Sequence, residues 1–261
     1  MLINNRIKPV IAIVQARMSS TRLPGKVMKE ICGKPILWHV VNRLKSAKLV
    51  DDIVIATTTE ASDNVIENWC NDNNVFCHRG SLNDVLERYY EAARKFNAST
   101  IVRITADCPL LDPSLVDSII KKFSLGGYDH VSVDSNSFPD GLDAEVFPFE
   151  ALEEAHLNAK LASEREHVTP YIWKNPQIFR LSGVKSPLDL SGMRWTVDDE
   201  KDFRLVTEIY EGLKDEGFVF PMSTIVRFLH NNPQLLEINS MTMRNEGYAK
   251  SLKEDRIVEG L

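Results

Sequence analysis

The chain has 261 residues, 43% of them apolar and 26% charged, with 31 Lys and Arg against 37 Asp and Glu and a formal net charge of −6. This composition excludes a disordered or low-complexity chain, and the length suits one large domain, or one domain with a small lobe. The acidic balance argues against a general nucleic-acid binder but leaves room for a local basic pocket that takes a phosphorylated small molecule.

Strand-like runs alternate with helical patterns from Val10-Ile-Ala-Ile-Val14 onwards. The spacing of Ile36, Leu37, Val40, Val41 and Leu44 predicts a helix over Pro35–Lys48. Asp52–Thr57 suits a strand buried on both faces. Helical patterns at Asp63–Asn73 and Asn83–Phe96 bracket a short strand at Val75–Cys77. Thr100–Thr105 is a further strand, followed by a helix beginning at Pro113, with Asp112 placed to cap it. Tyr128–Val133 reads as another strand. Repeated β–α–β units predict an α/β fold with a mainly parallel, Rossmann-like sheet flanked by helices.

From about Ser135 the rhythm changes. Pro139-Asp-Gly141 signals a turn, Glu145–Phe147 a strand and Phe149–Ala162 a helix. Glu164–Trp173 is helical with an interruption at Pro170, and Ile178–Val184 is strand-like. These residues are expected to form a small α+β lobe inserted over about 136–192. A strand at Met193–Val197 then resumes the main rhythm, ahead of helices near Glu200–Lys214 and Ser223–His230. The expected organisation is one domain over 1–232 and a C-terminal extension over 233–261, its last few residues loosely ordered.

No apolar run approaches the roughly 18 residues of a membrane span. Met1–Lys8 carries Asn4, Asn5, Arg6 and Lys8 and lacks a signal-peptide pattern, so a soluble cytoplasmic protein is expected, with no membrane or nucleic-acid partner. Cys32, Cys70, Cys77 and Cys108 follow no common zinc spacing and read as reduced thiols.

The densest chemical signal is Gln15-Ala-Arg-Met-Ser-Ser-Thr-Arg-Leu-Pro-Gly-Lys26, directly after the first strand. In an open parallel sheet that loop faces the ligand crevice. It brings together Arg17, Arg22 and Lys26 with three hydroxyls and the flexible Gly25, which supply charge and directed hydrogen bonds to polyphosphate oxygens. It is not a Walker loop, because Val27 follows Lys26 and no glycine stands five residues before Gly25. Asp107 and Asp198 each follow a strand-like run, so a parallel sheet can turn both towards this loop. Each is also a candidate helix cap. As a pair opposite three cations, they fit metal-assisted phosphoryl or nucleotidyl transfer.

The opening motif resembles the signature of the cytidylyltransferases that make CMP-linked sugar acids, the CMP-Kdo and CMP-sialic acid synthetases. Arg103-Ile-Thr-Ala-Asp-Cys-Pro109, Pro139-Asp-Gly-Leu-Asp-Ala-Glu145, Glu164-Arg-Glu-His-Val-Thr-Pro170 and Arg194-Trp-Thr-Val-Asp198 resemble the branch named for spore-coat polysaccharide synthesis. The likeness runs from about Val10 to Leu213, and it implies the fold of the nucleotide-diphospho-sugar transferases. By position it implies that Arg17, Ser20, Arg22 and Lys26 embrace the CTP triphosphate, with the three cations catalytic. Gln15 and Ala16 would line the cytosine pocket, and Asp107 and Asp198 would hold Mg²⁺. Gly80 and Asp84 correspond to a second base-proximal element, although Gly80-Ser-Leu-Asn-Asp84 stands where the family has Gly-Thr-acid-Arg. Ala106 likewise replaces the glycine of a Gly-Asp-x-Pro pattern.

For the acceptor, Arg165 and His167 suit a carboxylate, and Asp140 and Glu145 suit hydroxyls. A charged helix face or a subunit contact is the structural alternative for Glu164–His167. The implied reaction is transfer of CMP from CTP to an acidic sugar (Kdo-like or nonulosonic), with release of pyrophosphate. A second metal, or a nearby carboxylate such as Asp202, would activate the attacking hydroxyl. The resemblance also implies a homodimer with the inserted lobe as its contact. Two other readings are a metal-dependent glycosyltransferase, for which Asp107-Cys-Pro lacks the usual second acid, and a catalytically silent nucleotide-binding protein.

Overall fold

A computed structural model describes residues 7–258 of the chain. The signal reading at Met1–Arg6 and the expected looseness of residues 259–261 lie outside the described residues.

The first half is built of strand–helix units. Strand β1 (Val10–Gln15) is followed by a tiny hairpin, β2 (Glu30–Ile31) with β3 (Lys34–Pro35), and helix α1 (Ile36–Leu44). Next come β4 (Asp52–Thr58), α2 (Asn64–Asp72), β5 (Phe76–Gly80), α3 (Val85–Lys95), β6 (Thr100–Thr105) and α4 (Pro113–Ser124). The second half comprises β7 (His130–Val133), β8 (Glu145–Pro148), α5 (Phe149–Asn158), α6 (Ala162–His167), α7 (Pro170–Trp173) and β9 (Leu181–Val184), then α8 (Glu200–Gly212), α9 (Met222–Asn231) and α10 (Glu246–Lys253).

One seven-stranded sheet has the order β5-β4-β1-β6-β8-β7-β9. Its strands are parallel except β8, which pairs antiparallel with both β6 and β7. The apolar residues of β1 alternate between two cores. Val10, Ala12 and Val14 join a cluster with α1, α4, α8 and α9, while Ile11 and Ile13 join one with α3 and α5. Both faces are thus covered, as the uninterrupted apolar runs of these strands require. Asp112 caps α4 as its place before Pro113 predicts, accepting from the backbone N–H of Ser114 at 2.8 Å.

The inserted region and the stretch after it each depart from expectation. Its strands β8 and β9 belong to the main sheet: β8 lies between β6 and β7, and β9 forms the edge. Residues 193–197 do not form a strand; their backbone makes a single bridge, Asp140 to Arg194. This stretch is held between two loops, with Trp195 N–H donating to the Asp140 carbonyl at 2.6 Å and Val197 N–H to the Asp107 carbonyl at 2.8 Å. The helical reading of Glu164–Trp173 divides where Pro170 predicts, with Val168 between α6 and α7 at φ +72°.

Gly141 makes that arrangement possible. It sits at φ +100°, and a Cβ there would lie 2.4 Å from the Thr196 backbone nitrogen. Gly33, at φ +72° with open space around it, provides a contrast. Gly141→Ala should lower unfolding stability in urea by about 3 kcal/mol or more, through strain and collision together. Gly33→Ala should cost only the ~1 kcal/mol of a left-handed backbone.

Candidate active site

Parallel register sets the site. Gln15 pairs with Thr105 and with Ala56, so the strands following each of these end at one edge of the sheet. The Ala16–Lys26 loop and the turn holding Asp107 leave from that edge. The Val197-to-Asp107 hydrogen bond then brings Asp198 alongside. Helix α8 is capped by Asp199, whose side chain accepts from Lys201 and Asp202 N–H, so Asp198 is free to face the site.

Lys26 joins these segments. Its ammonium donates to Asp107 Oδ2 at 2.7 Å, Asp198 Oδ1 at 2.9 Å and the Val197 carbonyl at 2.8 Å. Burial alone would lower its pKa, but the charges of Asp107 and Asp198 outweigh burial and raise it. Asp198 shows the complementary balance: burial would raise it, yet Lys26 and Arg22 bring it down to about 2. Arg22 bonds Asp198 Oδ2 at 3.1 Å and Glu246 Oε2 at 2.8 Å. Arg17 is exposed and makes no salt bridge among the described residues.

The loop itself is fixed by Asp63, which is 1% exposed. Its Oδ1 accepts from Met18 N–H at 2.8 Å, while Oδ2 takes the hydroxyls of Thr57 and Thr58. Gly25, at φ +69°, closes the loop by donating to the Met18 carbonyl.

Two contiguous cavities open here. The first, about 860 Å³, is lined by Gln15, Ala16, Arg17, Ser20, Arg22 and Lys26 on one side and by Asp107, Asp198 and His167 on the other. The Gln15 carbonyl oxygen Oε1 is buried there without a protein partner. The second, about 730 Å³, contains Asp140, Glu145, His167 and Arg194. Arg194 binds Asp140 Oδ2 at 2.5 Å, Asp198 Oδ2 at 2.7 Å and Asp202 Oδ2 at 2.9 Å. Burial, with the neighbouring Asp143 charge, pushes Asp140 up to about 6. Burial would also raise Glu145, but Arg103 at 2.6 Å and His130 at 2.8 Å hold it down at about 2. Burial lowers His167 to about 4, so its ring is neutral near pH 7.

Five expected site residues line neither cavity: Gly25, Gly80, Asp84, Arg165 and Asp202. Asp84 and Arg165 bind each other, Arg165 Nε donating to Asp84 Oδ2 at 2.8 Å, and Asp84 caps α3. Arg165 is 2% exposed and supports the fold, so it offers nothing to an acceptor. Gly80 leaves room for the Arg88 side chain, whose Cγ would lie 3.2 Å from an added Cβ. Asp202, expected as an activating base, is fully buried and bonded to Arg194, Asn239 and the Asp198 N–H.

Two further charged side chains, Arg88 and Arg103, line these cavities. Arg88 lines the first cavity with its Nε unpartnered, and burial, aided by Arg17, lowers it to about 10. Its signal was a charge on the apolar face of a helix, beside Val85 and Ala92. Arg103 had a similar signal, a charge inside an apolar strand.

Among the described residues no group of three or more His, Cys, Asp and Glu side chains is arranged to hold a metal. The pair Asp107 and Asp198 nevertheless fits Mg²⁺, which takes one or two carboxylates and completes its shell with water and substrate phosphates. The Lys26 ammonium already sits as a cation between their oxygens. Among the described residues no helix is long and apolar enough to cross a membrane.

A basic loop and paired carboxylates at the carboxyl edge of a parallel sheet define a nucleotide-using α/β enzyme. A family model described as cytidylyltransferase matches residues 11–253. The chain belongs to the cytidylyltransferase family and is a CTP-using nucleotidyltransferase. It is 40% identical over 241 residues to an uncharacterized protein of Methanocaldococcus jannaschii, covering 92% of this chain and 97% of that one. It is 29% identical to a spore coat polysaccharide biosynthesis protein of Bacillus subtilis, over 86% of this chain and 95% of the other. A 3-deoxy-manno-octulosonate cytidylyltransferase of Geobacter metallireducens matches at 33% over 42% of this chain and 43% of its own. Among solved structures, a cytidylyltransferase of Leptospira borgpetersenii superposes with a TM-score of 0.84 at 30% identity, covering 90% of this chain and 99% of that one. The mainly parallel, helix-flanked sheet is the nucleotide-diphospho-sugar transferase fold.

Two predictions follow from this geometry. Asp63→Ala should fold but weaken CTP binding about tenfold, measured by calorimetry, because it removes the hydrogen bond that positions the loop at Met18. Glu145 stays ionised in the folded protein down to about pH 2, whereas an unfolded Glu protonates near 4.5. Its stabilising contribution is therefore present above pH 4.5 and lost as the pH falls towards 2. In urea titrations, the advantage of wild type over Glu145→Gln should shrink as the pH falls from 4.5 towards 2.

Proposed function

We propose that this enzyme transfers CMP from CTP to an acidic sugar, of the 3-deoxy-octulosonate or nonulosonic acid type, releasing pyrophosphate for surface polysaccharide synthesis. The observation that carries the reading is the junction of the two cavities. Arg22, Asp107, Asp198 and His167 line both, so a phosphate in the first lies beside whatever fills the second. The name of the Geobacter relative supports the transfer to a sugar acid, and that of the Bacillus relative supports a place in polysaccharide synthesis.

In this reading Arg17, Arg22 and Lys26 hold the triphosphate, and Ser20 adds a hydroxyl to it. Gln15, with its free carbonyl oxygen, and Ala16 line the base pocket. An oxygen of the acceptor's anomeric hydroxyl bonds to the α-phosphorus as the bond to the β-phosphate oxygen breaks. Pyrophosphate leaves, and the hydroxyl proton passes to solvent. Lys26 and the arginines stabilise the charge that builds on the phosphates. Mg²⁺ held by Asp107 and Asp198 would neutralise phosphate charge and orient the leaving group. Asp140 and Glu145 line the acceptor side, and Arg194 holds Asp140 and Asp198 in one frame.

Pyrophosphate release should require CTP, Mg²⁺ and a sugar acid, with ATP, GTP and UTP inactive. Asp198→Ala should reduce kcat about 10²- to 10³-fold while the circular dichroism spectrum stays native. Near-normal turnover in that variant would refute the metal role.

A further inference from the structure

The C-terminal extension, for which the sequence suggests no chemistry, closes over both cavities. Its near end is anchored by Asn239, which donates to Asp202 Oδ1 at 2.8 Å, and by Arg244, which reaches the Ser135 and Phe138 carbonyls and Asp143. Its far end is anchored where Ser251 meets His167 and Glu166 and where Asp255 accepts from Ser163. Between these anchors, Glu246 and Gly247 line both cavities and Tyr248 lines the second.

Glu246 is the loosest of these contacts. Its side chain is 44% exposed, and its carboxylate accepts from one group among the described residues, Arg22 Nη1 at 2.8 Å. Arg22 is also the cation a triphosphate would draw on. When phosphate oxygens take Arg22, Glu246 loses the one partner it has among the described residues, while the anchors on either side of it remain.

The acceptor cavity itself shows what a freed carboxylate there would meet. Apart from Glu246 it is lined by six Asp and Glu against four Lys and Arg. Arg103 and Arg194 are held by internal carboxylates at 2.6 and 2.5 Å, and Lys185 lies 3.8 Å from Asp134. Such a wall suits a ligand rich in hydroxyl and amide donors, which carboxylates accept from strongly.

We propose that Glu246 is an acceptor-binding residue that CTP releases: phosphate displaces it from Arg22, and it then accepts from hydroxyls of the incoming sugar. This rests on the function proposed above. It makes acceptor binding depend on the nucleotide, with a coupling that must be reciprocal.

The test measures the Kd of 3-deoxy-manno-octulosonate and of N-acetylneuraminate by calorimetry, with and without the non-transferable analogue α,β-methylene-CTP, in wild type and Glu246→Ala. In wild type the analogue should tighten binding of the acceptor acid about tenfold. In Glu246→Ala the gain should fall to twofold or less, while the analogue itself binds as well as before or better, because its competitor is gone. A tenfold gain that survives in Glu246→Ala, or no gain in wild type, overturns the proposal. Failure of wild type to release pyrophosphate from CTP with either acid overturns the underlying function, and this proposal with it. Native thermal melting of Glu246→Ala separates all these outcomes from misfolding.

Discussion

A single ammonium group between two carboxylates holds the site together. Lys26 comes from the loop after β1, Asp107 from the turn after β6, and Asp198 from the segment before α8, so one side chain ties three remote stretches of chain. The arrangement depends on all three being drawn to one edge of a parallel sheet. Any other register would point the loop away from the acids. Partial burial makes the attraction strong, and the shifted pKa values of Lys26 and Asp198 express it.

Around that centre the charges are nested. Arg194 grips Asp140, Asp198 and Asp202, while Arg103 and His130 grip Glu145. Most cations in the second cavity are thereby spent on internal acids, whereas in the first Arg17 makes no salt bridge among the described residues and Arg88 keeps an unpartnered nitrogen. The two cavities therefore differ in character although they share walls. In the function proposed here, the first would take the triphosphate and the second the hydroxyls of the acceptor.

Rigidity comes from groups behind the site. Asp63 spends both oxygens on backbone and hydroxyl donors to fix the loop, and Gly141 lets two backbones approach where a side chain would collide. The C-terminal segment is fastened at both ends and packs Tyr248 on His167 and Trp173 between them, while Glu246 is held by an exposed ion pair with Arg22.

The sequence by itself determined the sheet and its edge. Apolar runs such as Val10–Val14 and Thr100–Thr105 must be buried on both faces, and that requirement made the parallel sheet and the place of the Arg17–Lys26 loop legible. It also identified Asp112 as a cap and paired Asp107 with Asp198, because their chemistry follows from residue type and from position after a strand. What it did not determine was where long side chains spend their charge. Arg165 and Asp84 carried the right chemistry but satisfy one another in the interior, and no local pattern reveals a partner 81 residues away. Residues 193–197 have the composition of a strand, yet their backbone is claimed by Asp140 and Asp107 instead of a sheet neighbour. The role of Glu246 was equally hidden: it becomes visible only when tertiary packing lays the end of the chain across Arg22, 224 residues before it. Periodicity records burial, which each residue carries in its own side chain, whereas ion pairing is a property of two residues that only the folded chain brings together.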